Sequence, residues 1–113
     1  MSDEEYVRSR WEFVHSYKDD EFDPPIFSIC VQLEEGSESS WIMASGPTLD
    51  VAWEVAYGAT LEREREIEQR KTDWAMLAGF INSEGGTYQR DIFKRLYVRE
   101  QAALNDLRKG MKP

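Results

Sequence analysis

Histidine and cysteine each occur only once in this chain of 113 residues, as His15 and Cys30. A single cysteine excludes an intramolecular disulfide, and the two residues together cannot supply a zinc knuckle or a two-histidine metal site. Because Cys30 lies in an apolar run, we predict a buried thiol. We predict that His15 is an ordinary solvated side chain on the surface of a helix.

The chain also lacks the patterns that hold a nucleotide or a calcium ion. Gly85-Gly86 is not followed by the Lys-Ser/Thr of a phosphate-binding loop, and the acidic residues from Asp19 to Asp23 lack calcium-loop spacing and precede Pro24-Pro25. Carboxylates are plentiful, so hydrolysis by a carboxylate pair stays open, although no spacing supports it. We therefore predict no enzymatic activity, no cofactor and no metal ion.

No apolar run approaches the roughly 18 residues that a membrane helix requires. The N-terminus, Met-Ser-Asp-Glu-Glu, is acidic where a signal peptide would be basic. These two observations predict a soluble, cytoplasmic protein that does not contact a membrane.

Basic residues are few, 14 against 22 acidic residues, which gives a formal net charge of -8. This charge discourages contact with nucleic acid and with anionic membranes. It is unevenly divided, because residues 1–84 carry a net charge of -12 and residues 87–113 carry +4. A chain of this kind can pair head to tail with a second copy, or present an acidic surface to a basic partner.

The N-terminal residues predict a helix followed by a loop. Ser2 precedes three acidic residues, as is typical of a helix start, and an apolar side continues to Tyr17, so a helix is predicted over residues 3–17. A loop is predicted over residues 18–25, because its acidic side chains repel one another and Pro24-Pro25 forbids a helix.

A β-hairpin is predicted next. Apolar and polar side chains alternate over residues 26–33, and a second short strand is predicted over residues 41–44, after a turn at residues 34–40. Ser45, Gly46 and Pro47 are expected to end that strand. Two strands are marginally stable alone, so the hairpin requires a helix or a third strand, and its open edge invites pairing with another chain.

A long helix is predicted over residues 48–83, with Thr48 as its N-cap. Its first turns are apolar and can pack on the hairpin. It could be one helix or two, because Gly79 can introduce a kink.

A final helix completes the predicted fold. Gly85-Gly86 ends the long helix, and Thr87 caps a helix that reaches Lys109. Residues 110–113 are predicted to be frayed. The predicted fold class is α+β, with residues 1–113 as a single domain and the last two helices as an antiparallel helical hairpin.

Residues that share one side of the long helix, from Trp53 to Ile81, follow one another at spacings of three and four. We call this side the seam, and its regular spacing indicates a continuous contact surface. The far end of this seam outruns the hairpin, so the C-terminal helix, a second copy or a partner must cover it. With the charge division, the seam predicts a homodimer. The predicted interface residues are Arg63, Arg70, Trp74, Leu77 and Ile81.

The middle of the long helix, residues 62–73, is nearly all charged. Glu66 and Arg70 have the spacing of a favourable ion pair. As a solvated helix, this run needs no partner. As an acidic rod, it could enter the basic groove of a nucleic-acid-binding protein, where its carboxylates would stand in for phosphates. The predicted partner-binding residues are Glu62, Glu66 and Asp73, with Asp19, Asp20 and Glu21.

Residues 87–109 resemble a helix-turn-helix, a DNA-binding motif. The resemblance is carried by Gln89-Arg90-Asp91-Ile92, Leu96, Val98 and a second helix from Glu100, and the net charge of +4 agrees with phosphate contact. Tyr97, however, stands where the turn glycine is usual, which favours a single continuous helix. A small DNA-binding regulator is the alternative that this motif implies.

A second resemblance covers residues 6–68. It is carried by Tyr6, Arg8, Arg10 and Trp11, and by Trp53-Glu54-Val55-Ala56-Tyr57, Thr60 and Arg63-Glu64-Arg65-Glu66-Ile67. With the hairpin, this stretch resembles small acidic accessory proteins of bacteriophages. The resemblance implies a class that includes inhibitors of host defence or of host nucleic-acid enzymes.

The leading hypothesis is therefore a non-enzymatic, acidic binding protein that works by protein–protein interaction. It would act in the host cytoplasm as a nucleic acid mimic, occluding a basic site on a host nucleic-acid-processing or defence protein. The alternatives are the DNA-binding regulator and a structural homo-oligomer. Direct binding of nucleic acid is not expected under the leading hypothesis.

Overall fold

The computed structural model describes residues 2–33, 40–82 and 87–112, with the side chains of residues 2–33, 40–79 and 90–112. Its elements are α1 (Asp3–Arg10), β1 (Val14–Asp19), β2 (Ile26–Gln32), β3 (Ser40–Gly46), α2 (Leu49–Asn82) and α3 (Thr87–Arg108). The predicted α+β class is confirmed. The chain forms two compact units, unit 1 (Met1–Glu62 with Lys109–Pro113) and unit 2 (Arg63–Arg108).

Helix α1 is shorter than predicted. Ser2 caps its start, because the Ser2 hydroxyl accepts a hydrogen bond from the backbone N–H of Glu5 at 3.2 Å. The helix ends at Arg10, after which Trp11 is extended, with φ -116° and ψ 142°. The predicted continuation to Tyr17 is wrong, because the chain beyond Trp11 pairs with β2 instead of continuing the helix.

The sheet has the third strand that the hairpin required. Its order is β1-β2-β3, and both pairings are antiparallel. The loop therefore begins two residues later than predicted, since Lys18 and Asp19 pair with Phe27 and Ile26 in the ladder. Most side chains of β1 are exposed, so this strand has no apolar alternation from which it could be predicted.

Strand β2 follows its predicted alternation except at Ser28, a predicted polar-face residue that is also buried. Ile29 and Val31 are fully buried and face the core of unit 1. Strand β3 is longer than predicted, because Ser45 pairs with Ser28 and Gly46 pairs with Phe27. The ladder changes register between Ile29 and Cys30, which makes a β-bulge in β3.

Helix α2 supplies the other side of this core. The hydroxyl of Thr48 accepts a hydrogen bond from the N–H of Val51 at 3.2 Å, which confirms the predicted N-cap. The helix is described as one continuous element of 34 residues. Its early turns bury Ala52, Trp53 and Ala56 against the sheet, as expected from their apolar spacing.

The C-terminal residues return to unit 1 and extend its hydrogen bonding. The N–H of Glu12 donates to the carbonyl of Gly110, and the N–H of Lys112 donates to the carbonyl of Arg10, each at 2.8 Å. Met111 packs against the core and forms a β-bridge with Trp11. The predicted fraying is therefore wrong for residues 110–112, because backbone pairing and apolar contact hold them.

Unit 2 consists of the second part of α2 and of α3. Contacts between the two helices pair Arg70 with Glu100 and Trp74 with Tyr97, so residue numbers descend along α3 as they rise along α2. This confirms the predicted antiparallel helical hairpin. Ile67 and Leu104 are its buried apolar residues within the described part of the chain.

Helix α3 is continuous from Thr87 to Arg108, so the helix-turn-helix interpretation is wrong. Tyr97 and Glu100 both lie inside this one helix. The predicted breaks at residues 34–39 and at Gly85-Gly86 lie outside the described residues. Among the helices that are described, none has an apolar stretch long enough to cross a lipid bilayer.

Candidate functional site

The acidic strip consists of Glu62, Glu66 and Asp73 on α2, and all three side chains are exposed. Glu66 and Asp73 lie seven residues apart in a continuous helix, which places them on one side of it. Asp73 accepts a hydrogen bond from the Gln69 amide at 3.1 Å. Glu62 is the last α2 residue of unit 1, whereas Glu66 and Asp73 belong to unit 2.

Two arginines of the same stretch are bound to α3. Arg70 donates from Nη1 to Oε2 of Glu100 at 3.0 Å, and Arg63 donates from Nη1 to the carbonyl of Leu107 at 3.4 Å. The predicted ion pair between Glu66 and Arg70 is wrong, because the partner of Arg70 is on α3. Glu66 makes no ion pair within the described part of the chain, so its carboxylate is available to a partner.

The seam residues predicted for a dimer interface also meet α3. The ring of Trp74 stacks on that of Tyr97, with the ring centroids 4.9 Å apart and the planes 24° apart. Leu77 is half-buried, and the side chain of Ile81 lies outside the described residues. The chain's own C-terminal helix thus covers this seam at Arg63, Arg70 and Trp74. Homodimerisation stays a prediction.

The second predicted acidic group is Asp19, Asp20 and Glu21, in unit 1. Asp19 is the last residue of β1, and its carboxylate accepts a hydrogen bond from the N–H of Glu21 at 3.0 Å. Asp20 lies 3.5 Å from the Lys18 ammonium, and both side chains are mostly exposed. Ion pairs this exposed contribute about 0–1 kcal/mol, so Asp20 can exchange Lys18 for another cation.

His15 and Cys30 face each other in the ladder between β1 and β2. His15 is exposed, as predicted, although it lies on a strand and not on a helix. Cys30 is half-buried, and this burial raises the pKa of its thiol. Because a raised pKa keeps a thiol protonated near neutral pH, Cys30 is a poor nucleophile.

Metal-binding side chains do not converge in the described parts of the chain. Among residues 2–33, 40–79 and 90–112, no group of three or more histidine, cysteine, aspartate or glutamate side chains could hold a metal ion.

Unit 2 contains a cleft that the sequence does not predict. It has a volume of about 320 Å³. Helix α2 contributes Lys71, Trp74 and Ala75, and helix α3 contributes Gln101, Asn105 and Arg108. The spacing of four and three residues on α3 does predict that its three polar side chains share one side of the helix. These three side chains lie near Lys71 only because α2 and α3 pack together. The packing of two helices cannot be predicted from the residue spacing within either one.

No protein-family model matches this chain, and comparisons with curated proteins and with solved structures find no match either. The resemblance to bacteriophage accessory proteins therefore remains a prediction from the residues that carry it.

Proposed function

We propose that this chain is a non-enzymatic binding protein whose acidic strip occupies a basic site on another protein. The carboxylates of Glu66 and Asp73 would take the place of phosphates, as in a nucleic acid mimic. In keeping with the resemblance to bacteriophage proteins, the proposed partner is a nucleic-acid-processing or defence protein in the host cytoplasm. The partner would lose access to its normal ligand.

The observation that carries this proposal is the division of charge across α2 in unit 2. Arg63 and Arg70 are bound to α3, while Glu66 and Asp73 are exposed. Packing thus draws two of the four cations of residues 62–73 away from the strip, while Arg65 and Lys71 stay exposed. A strip left with its negative charge attracts a basic surface and raises the rate of encounter with it.

The side chains of the strip need little rearrangement to bind. The helix backbone fixes the spacing of the carboxylates, and the contact from Gln69 holds Asp73. A pre-organised row of charges loses less conformational entropy on binding than a flexible acidic tail does. This favours the helix over the acidic loop, residues 20–25, as the principal contact.

The experiment that tests the proposal is capture from a bacterial lysate with charge-matched variants. The immobilised chain should retain a basic protein, and Glu66→Lys with Asp73→Lys should weaken its binding at least tenfold, about 1.4 kcal/mol. The control, Glu54→Lys with Asp91→Lys, alters net charge equally at exposed residues outside the strip. Arg65→Gln, which removes an exposed cation from the same stretch of α2, should strengthen binding.

Competition with DNA and comparison of the two variants provide two further tests of the proposal. Duplex DNA should compete with the chain for the captured protein, because both would use the same basic site. Equal retention by the strip variant and the control variant would contradict the proposal.

The two alternatives, a DNA-binding regulator and a structural homo-oligomer, are tested by a gel shift and by sedimentation. In a gel shift at low salt, direct binding of duplex DNA that is weakened by Arg95→Gln or Arg99→Gln would replace the proposal with DNA binding. In sedimentation, self-association that is lost in the strip variant, without any captured protein, would replace it with a structural homo-oligomer.

A further inference from the structure

The α2/α3 cleft differs in charge from the acidic strip of the same unit. Lys71 and Arg108 line it with cations, and Gln101 and Asn105 line it with amides. No carboxylate is among its lining side chains. A cleft with cationic and amide donors and without acidic side chains suits a negatively charged group.

The remaining lining residues are apolar and well held. Trp74 is stacked on Tyr97, and Leu104, which also lines the cleft, is only 4% exposed. Ala75 adds a small side chain beside them. These side chains offer contact to an apolar group that enters together with the charge.

A ligand anion can bind the cations of the cleft without breaking a strong ion pair. Lys71 lies 3.2 Å from Glu68, but that carboxylate is 73% exposed, and surface pairs of this kind contribute about 0–1 kcal/mol. Arg108 is exposed, and it forms no ion pair with any described residue. A ligand anion can therefore approach both cations without breaking a buried contact.

The size of the cleft selects the kind of ligand. Its volume of about 320 Å³ lies at the lower end of small-molecule sites, which range over about 300–1,000 Å³. An α-helix with side chains is about 10 Å across and needs a longer groove. We infer that this cleft binds a small organic anion, a carboxylate or phosphate joined to a compact apolar group.

The proposal is tested with 8-anilinonaphthalene-1-sulfonate, a fluorescent aromatic anion, on the full chain. Lys71→Gln and Arg108→Gln should each raise the dissociation constant at least fivefold. Arg95→Gln is the matched control, because it removes an exposed cation of α3 that does not line the cleft. The control should leave the dissociation constant within twofold of the unchanged chain.

A change of opposite sign separates local contact from net charge. Glu68→Gln frees Lys71 and should tighten binding two- to threefold, whereas Glu66→Gln, which removes the same charge from the acidic strip, should have no effect. Equal effects of the two variants would overturn the proposal, because they would mean that only net charge attracts the probe.

Three further measurements complete the test. Octanoate and octyl phosphate should displace the probe, whereas acetate and inorganic phosphate should not, and the stronger of the two displacing anions identifies the preferred charged group. Ala75→Trp should fill the cleft and abolish binding while the helical circular dichroism is retained. In NMR spectra, the indole N–H signal of Trp74 should shift more than those of the other three tryptophans.

Absence of probe binding, or an indole signal of Trp74 that does not move, would overturn the proposal. So would self-association in sedimentation that depends on Lys71 and Arg108, since a second copy would then be the occupant. Variants of Glu66 and Asp73 leave the cleft intact, so failure here and failure of the proposed acidic contact are distinguishable.

Discussion

The hydroxyl of Thr60 joins residues that are far apart in the sequence of unit 1. It accepts a hydrogen bond from the indole N–H of Trp11 at 3.1 Å and donates one to the carbonyl of Ala56 at 2.9 Å. Both Thr60 and Trp11 are almost completely buried. Without this oxygen, the indole N–H would be left without a partner inside the core, which costs more than a lost surface bond.

We expect Thr60→Val to destabilise unit 1 by about 1–3 kcal/mol, because valine keeps the shape of threonine but cannot accept the tryptophan hydrogen bond. The matched control is Thr72→Val. Thr72 makes the same type of bond, to the carbonyl of Glu68, but is exposed, so its change should stay within about 0.5 kcal/mol. Urea denaturation measures both, and equal losses would contradict the buried role of Thr60.

Thr48 and Arg70 differ in how well their contacts can be predicted from the sequence. The residue type and position of Thr48 predict an N-cap, and its hydroxyl accepts the expected hydrogen bond from Val51. Helical spacing predicts an ion pair between Glu66 and Arg70, yet Arg70 binds Glu100. Capping is local and can be read from neighbouring residues, whereas the choice between two acidic partners depends on a helix that is distant in sequence.

At the scale of elements, α3 determines which charges of α2 remain exposed. The ion pair between Arg70 and Glu100 is partly shielded, with side-chain exposures of 35% and 24%. The pair between Lys71 and Glu68 is more exposed, at 46% and 73%. Shielding from water strengthens the first pair relative to the second.

A double-mutant cycle with Arg70→Gln and Glu100→Gln should give a coupling energy of about 0.5–1 kcal/mol at low salt. The same cycle for Lys71 and Glu68 should give less than about 0.5 kcal/mol, because both groups are well hydrated. Denaturation at low salt and at 1 M salt measures both energies. A larger energy for the exposed pair would mean that α3 does not hold Arg70 as described.

In the first helix and the first strand, the predicted secondary structure is wrong although several of the predicted apolar residues are buried. The predicted apolar side holds Tyr6 or Val7, then Arg10 or Trp11, and then Val14. Of these, Val7, Trp11 and Val14 contribute to the core of unit 1. Their spacings of four and three residues fit a helix, but three positions are too few to establish a period. Strand β1 forms because β2 offers it a free edge, a cause that lies outside its own residues.

At the scale of the whole molecule, unit 1 is built from two separate parts of the chain. Its larger part ends within α2, and the residues after α3 rejoin it beside Trp11. Gly110 makes this return possible, because its φ of +80° is rare for residues with a side chain. A Cβ atom at this position would also lie 2.8 Å from the carbonyl oxygen of Gln32.

We expect Gly110→Ala to destabilise the fold by at least about 1–2 kcal/mol, the cost of a left-handed backbone for alanine. Gly58→Ala is the control, because a Cβ there meets no atom within 4 Å and the residue is helical, so it should stabilise by about 0.5–1 kcal/mol. Thermal denaturation shows whether each variant is more or less stable than the unchanged chain. Hydrogen exchange at the Glu12 amide should accelerate only in the Gly110 variant.

The candidate sites were predictable to different degrees at this scale. The acidic strip follows from helical spacing and charge, and its exposure agrees with that prediction. The cleft does not follow, because Lys71 and Arg108 belong to different helices and meet only when these pack. Sequence patterns indicate which residues share a side of a helix, but not which sides come together.

The return of the chain to Trp11 makes unit 2 an insertion within the sequence of unit 1. Arg10 and Glu12, which flank Trp11, are joined to the last residues of unit 1 by backbone hydrogen bonds that involve no residue of unit 2. Paired additions or losses of helical turns in the two helices are therefore compatible with an unchanged sheet. Unit 2, and whatever it binds, can therefore change in length and sequence while unit 1 keeps its fold.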